Sequence, residues 1–498
     1  MTMKQFKTIL TALLILALLL SFAACSGSSA EQNENDTTDA TTSASDGTTA
    51  IPDVSYEEDD LPDDLNFGGR TVSILSSVHL MPYLEAAAYD ITADESAAGT
   101  VNQELFNRKK YVEERLGVKI VNKVSLKIDE EKNSLLFSGT GKHQILASPL
   151  NIISKNAIGN ALLDLKTVEN LDLDKPWWSR DFNEKAEMKD KLYFTTGDAA
   201  LSLMRNMSIV FYNEDLAASY AESSGNDSVT RVYDLVKTGK WTIDELHTIV
   251  ADVYDDLYNN NSRDKLDVNG LGITNNSVNS IWTSLDLSIL KSDGNGWYDL
   301  GIEEEKLFDA LSKATDLFNT QSAIRESDPA NTAIHFAADH LMFTVSDLSS
   351  AENVLVQNMS SEYGIIPFPK YDESQADYYT FANDELITFA IPAYTEDLDM
   401  VGAVLEALAS YGYRNNRPEY LSYVTRGKYD TDPDTRAIMD GIVNNYRTDS
   451  GLIYNRTLAC DYAYTLSDMV RRYNRSIEGV HKQKSEEILK MLSLYVKN

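Results

Sequence analysis

The chain has 498 residues, room for two or three domains that each bury a core, and 43% of them are apolar, a globular balance. Its formal net charge of −33 argues against a nucleic-acid partner, which needs clustered Lys and Arg, and against broad docking on an anionic bilayer. The two cysteines, Cys25 and Cys460, do not make the dense, even set of a disulfide-stapled secreted domain, and Cys460 reads as a buried, inert thiol in a helix.

Lys4 and Lys7 open a short basic stretch, residues 9–20 are apolar, and Ser21-Phe22-Ala23-Ala24-Cys25 follows. This is the layout of a secretory signal, with an apolar core too short for a membrane span of ~20 residues. The cysteine after Ala23-Ala24 resembles a bacterial lipobox, with Phe22 where that signal prefers Leu. The resemblance implies a signal peptide over 1–24, lipidation of Cys25, and a protein anchored on the extracytoplasmic face of the cell membrane. Residues 25–65 are rich in Ser, Thr, Asp and Glu without apolar period, and predict a disordered tether.

Beyond the tether, strands and helices alternate. Residues 70–75 and 118–121 read as strands around a helix over 101–116, with Gly117 as its stop. Residues 143–147 predict a strand and 154–165 a helix. Thr242-Ile243-Asp244-Glu245 is a capping box opening a helix to about residue 258. A helix over 304–319, strands at 340–345, 363–367 and 385–391, and a helix over 396–411 follow. Asp432-Pro433 opens another helix, and the tail from residue 465 is helical. The alternation predicts an α/β fold whose mixed sheets are flanked by helices.

Several segments resemble the extracellular solute-binding proteins of the maltose-binding type. These are Asn66-Phe67-Gly68-Gly69-Arg70-Thr71-Val72, Val112-Glu113-Glu114-Arg115-Leu116-Gly117-Val118, Val210-Phe211-Tyr212-Asn213-Glu214-Asp215-Leu216, Gly239-Lys240-Trp241-Thr242-Ile243-Asp244-Glu245-Leu246 and Tyr363-Gly364-Ile365-Ile366-Pro367. In order, they span most of residues 66–410. The resemblance implies a two-lobed periplasmic-binding-protein-like fold with the ligand in the cleft. Lobe one would take 66–210 plus 367–412, and lobe two 212–366 plus 413–498. It implies a monomer that closes on a sugar, an oligosaccharide by its Trp pair and abundant Tyr, and hands it to an ABC permease.

Sugars need flat apolar faces and planar hydrogen-bonding groups. The candidates at strand ends and in nearby loops are Ser76, Ser77, Tyr83, Trp177, Trp178, Asp198, Arg205, Asn206, Ser346, Asp347, Asn383, Asp384 and Glu385. Trp241 reads as a structural plug. The loop 261–273 places Arg263, Lys265 and Gly272 where calcium wants oxygens, so no metal is expected. His335 and His340 lack a third ligand nearby. No catalytic motif and no cofactor motif is present. The alternatives are a lipid-anchored glycan-active enzyme, whose carboxylate pair an acidic chain would hide, and a sensing module for a receptor kinase.

Overall fold

The computed structural model describes residues 56–77, 90–138, 142–157, 161–327 and 329–496. The expected signal, Cys25, residues 26–55 and Tyr83 lie outside the described residues. Residues 56–65, read as tether, instead pack on the body. Leu61 is buried there, and Asp59 pairs with Arg115 at 2.7 Å.

Two separate sheets organise the chain. In the first, β1 (Arg70–Ser77) runs parallel to β2 (Val118–Ser125) and to β3 (Ile145–Pro149). Val72, Ile74 and Leu75 are solvent-free, as a strand covered on both faces requires. The helix Thr100–Leu116 links β1 to β2, burying Val101, Leu105, Val112 and Leu116 on one face. It ends at Gly117, whose φ of 59° is left-handed.

The second sheet is built from β4 (Ser208–Asn213), β5 (Tyr254–Asp255) and β6 (Val268–Thr274). A separate hairpin of β7 (Leu290–Ser292) and β8 (Tyr298–Leu300) intervenes before β9 (Ala323–Glu326), β10 (Leu341–Asp347) and β11 (Tyr363–Ile366) complete the sheet. Its order is β11-β4-β10-β6-β5, with β9 also on β6. β12 (Ile387–Ala390) then returns to the first sheet, antiparallel to β3, giving the order β12-β3-β1-β2.

The segments that carry the chain between sheets lie side by side. Met207 bridges Ala382, and the Ser208 N–H donates to the Phe381 carbonyl at 2.7 Å. Thr380 bridges Tyr446, so a third segment joins them. The C-terminal helices pack on both sides: Arg417–Val424 against Thr100–Leu116, Pro433–Asn444 against β11, and Tyr462–Arg471 against Glu304–Phe318.

Most expected elements are present, and the departures have local causes. The expected helix over 154–165 is not formed by its described residues, 154–157 and 161–165. A short helix, Leu150–Ile153, precedes it, a 3-10 turn, Ser154–Asn156, takes its start, and Leu162 bridges Pro392. The capped helix begins as expected, with the Thr242 hydroxyl accepting the Glu245 N–H at 3.2 Å. It ends at Ala251, not near residue 258, because Tyr254 is drawn into pairing with Asn269. Cys460 is a free thiol in a left-handed turn, φ 52°, rather than in a helix. Trp241 is fully enclosed and donates its indole N–H to the Pro367 carbonyl at 3.0 Å.

Candidate functional site

Three strand ends converge on one cavity of about 330 Å³. The C-terminal ends of β3 and β6 supply Asn151, Asn275, Asn276 and Asn279, and the approach to β12 supplies Asn383, Asp384 and Glu385. The helix Tyr462–Arg471 and the turn before it close the side with Arg456, Tyr464, Ser467, Asp468 and Arg471. Ligands in α/β folds gather beyond the carboxyl ends of strands, and here two sheets present such ends to one space.

The local sequence explains how these side chains are held. After β6, the Thr274 N–H donates to Ser277 Oγ at 2.9 Å, and that hydroxyl donates to the Val345 carbonyl at 2.6 Å. This turn leaves Asn275 and Asn276 exposed at its tip. The Asn383 side chain accepts the Glu385 N–H at 3.0 Å, an Asx turn, and donates to Asp347 Oδ2 at 3.1 Å. The Asn151 N–H donates to the Asp384 carbonyl at 3.0 Å. Trp282, in the core, donates its indole N–H to Ser467 Oγ at 3.0 Å. Arg471 pairs with Asp468 and donates to Asn275 Oδ1 at 3.3 Å. Arg456 lies 3.9 Å from Asp384 and over the Tyr464 ring. Burial and the Asp384 carboxylate push the Tyr464 phenol up. Burial pushes the Asp347 carboxyl up to about 7, with the Asn383 amide opposing and the Glu385 charge adding.

The structure sorts the remaining candidates into other places. Arg205 is enclosed and does not line this cavity. Its side chain is 0% exposed, bound to Glu352 by two hydrogen bonds of 2.9 and 2.8 Å and to Asp90 at 2.9 Å. Asn206 is enclosed as well, its amide on the Ser202 carbonyl and its own carbonyl accepting the Asn383 N–H at 3.1 Å. Ser346 and Asp347 end β10 rather than sit in a loop after it, and Ser346 Oγ is 2.7 Å from Ser350 Oγ. Ser76 is buried at the end of β1, donating to Asn122 Oδ1 at 2.7 Å, and Ser77 closes that strand.

Trp177, Trp178 and Asp198 border a second cavity of about 270 Å³, with Arg417, Tyr446 and Arg447. The indoles offer no open stacking face, since Trp177 is 0% and Trp178 3% exposed. Their loop is a core plug. Trp178 bridges Gly197 and donates its N–H to Glu406 Oε2 at 3.0 Å. Asp198 is nearly enclosed, with Arg417 at 3.6 Å, and burial raises its carboxyl.

Burial likewise pushes the Glu406 carboxyl up to about 7, against the Trp178 and Asp172 N–H groups that it accepts. A carboxyl whose folded value lies above its unfolded one contributes stability below the unfolded value, and that contribution is lost as pH rises through about 7. Glu406→Gln removes this proton dependence. Denaturant melts should therefore show the variant gaining on the wild type between pH 5 and pH 8, by on the order of 2 kcal/mol. An identical pH profile for both proteins would mean that Glu406 is not held protonated.

Asn151, Asn275, Asn276, Asn279, Arg456, Tyr464, Ser467, Asp468 and Arg471 are the cavity residues that sequence reasoning missed. Asn275-Asn276 carry a signal, polar residues directly after an apolar strand, and Asn151 stands one apolar residue beyond the end of β3. The helical set carries none, because its approach depends on the tertiary fold.

No protein-family model and no curated sequence matches the chain. Solved structures do. The GacH receptor of Streptomyces glaucescens, studied unliganded and with acarbose, superposes with a TM-score of 0.53 at 13% identity, over 85% of this chain and 99% of that one. A cyclo/maltodextrin-binding protein complexed with maltotetraose gives 0.52 at 12% identity, over 86% and 97%. The chain has the two-lobed α/β fold of these sugar-binding proteins.

Proposed function

We propose that this two-lobed fold works as the capture subunit of an ABC-type importer, which closes on a carbohydrate in the 330 Å³ cleft and releases it unchanged to a permease. One observation carries the reading. Amides from both lobes, Asn151 and Asn383 on one side and Asn275, Asn276 and Asn279 on the other, face a single polar cavity. An amide offers a donor pair and an acceptor at fixed spacing, which is what neighbouring sugar hydroxyls need. A site split between lobes also makes ligand binding favour the closed arrangement, and a partner could read that arrangement. The matched structures, solved with acarbose and maltotetraose, support the carbohydrate class.

In the same reading, residues 1–24 are a secretory signal, Cys25 carries a lipid, and the tether lets the body reach the permease from the outer face of the membrane. Among the described residues no helix is long and apolar enough to cross a membrane. Globomycin-sensitive processing and loss of membrane retention in Cys25→Ser test the anchor.

A thermal-shift series tests the binding. Protein stripped of carried ligand by unfolding and refolding is melted with mono- and oligosaccharides at increasing concentration. A ligand at 100 times its dissociation constant adds about 2.7 kcal/mol. A saturable rise in melting temperature, with the sugar recovered intact by chromatography, is the expected result. Hydrolysed sugar would replace the importer reading with that of a glycan-active enzyme.

A further inference from the structure

We infer that the solute held in the cleft carries a positive charge and belongs to the amino sugars. This rests on the carbohydrate reading above and deepens it. The cavity wall holds three carboxylates, Asp384, Glu385 and Asp468, against two guanidinium groups, Arg456 and Arg471. Asp468 is paired with Arg471 and, at 2.7 Å, with Arg472 outside the wall, Arg471 also reaches Asn275, and Arg456 stands 3.9 Å from Asp384, which leaves Glu385 as the carboxylate over. Glu385 is exposed on the wall and has no ion pair among the described residues. No lysine or histidine lines the cavity.

A second carboxyl lies behind the first. Asp347 ends β10 and is tied to Asn383, two residues before Glu385. Burial raises it to about 7, and the Glu385 charge adds to the rise, so Glu385 lies close enough for its charge to be felt there. A ligand ammonium near Glu385 supplies the counter-charge it lacks and gains charge-assisted hydrogen bonds. The net charge of −33 draws a cation in the same direction at long range. The rest of the wall suits a short sugar. Tyr464 is its one aromatic ring, no Trp reaches it, and 330 Å³ is at the small end of ligand sites.

The test is calorimetry on the whole, ligand-stripped protein with glucosamine, N-acetylglucosamine, glucose and glucuronic acid, and with the disaccharides of each class, in 20 mM and then 300 mM salt. The amine form should bind about tenfold tighter than its N-acetyl and neutral counterparts, with the gap narrowing in high salt. Glu385→Gln should reduce the gap to about twofold, and Glu385→Asp should keep most of it. Glu385 is exposed, so both variants keep the core intact. Equal or tighter binding of a neutral or acidic sugar, or an unchanged gap in Glu385→Gln, overturns the inference. Binding of a non-sugar cation such as spermidine, with no saccharide bound, overturns the sugar reading and leaves only the charge.

Discussion

Arg205→Met should destabilise the protein by about 3–5 kcal/mol, read as a fall in the urea midpoint. The guanidinium is 0% exposed and neutralises two carboxylates that are themselves 3% and 12% exposed, Asp90 and Glu352. Methionine keeps much of the stem's packing, so the loss comes from two acids left without a counter-charge. The Arg205→Met, Asp90→Asn, Glu352→Gln triple variant should recover most of it, because no unpaired charge then stays buried. The triad also ties together segments of the two sheets. Asp90 lies between β1 and β2 of the first sheet in sequence, and Glu352 follows β10 of the second. In Arg205→Met the lobes should therefore melt less cooperatively, with separate midpoints for probes in each. A loss under about 1 kcal/mol would mean that water reaches the carboxylates and screens them.

Trp282→Ala should cost about 3–5 kcal/mol and also weaken ligand binding. Trp282 is fully enclosed and meets Tyr462 edge-on at 5.7 Å. It also fixes Ser467 in the cavity wall through its indole N–H. Trp282→Phe separates the two roles. The ring still fills most of the space, so stability falls by less, while Ser467 loses its donor. Affinity should fall about three- to tenfold in Trp282→Phe, measured by calorimetry with the best ligand from the thermal series. A Phe variant that binds as tightly as wild type would mean that Ser467 does not contact the solute.

Periodicity made the scaffold legible. The stripe of Leu307, Leu311, Ala314 and Phe318 gave its helix from spacing alone, and the buried run Val72, Ile74 and Leu75 gave β1. These elements are decided locally, by which residues must leave water. Asn383, Asp384 and Glu385 were legible for the same reason, since polar residues just before an apolar strand mark its end. Trp177-Trp178 misled because a loop position says nothing of what folds over it. Here Glu406, more than 200 positions later, supplies the acceptor that lets Trp178 be buried. Arg205 misled likewise, since its partners Asp90 and Glu352 lie 115 and 147 positions away. Pairings of that range are a property of the fold and leave no local pattern.

The last strand of the first sheet has a consequence for the order of assembly. β12 must find β3 across a separation of 240 residues, as between Thr388 and Ser148. The first sheet therefore stays open at β3 until nearly four-fifths of the chain has been made. Loop closure on that scale gives high contact order, and high contact order gives slow folding. This topology delays completion of the first sheet by geometry alone, so the sheet whose strands come first in the chain is closed by the last strand made.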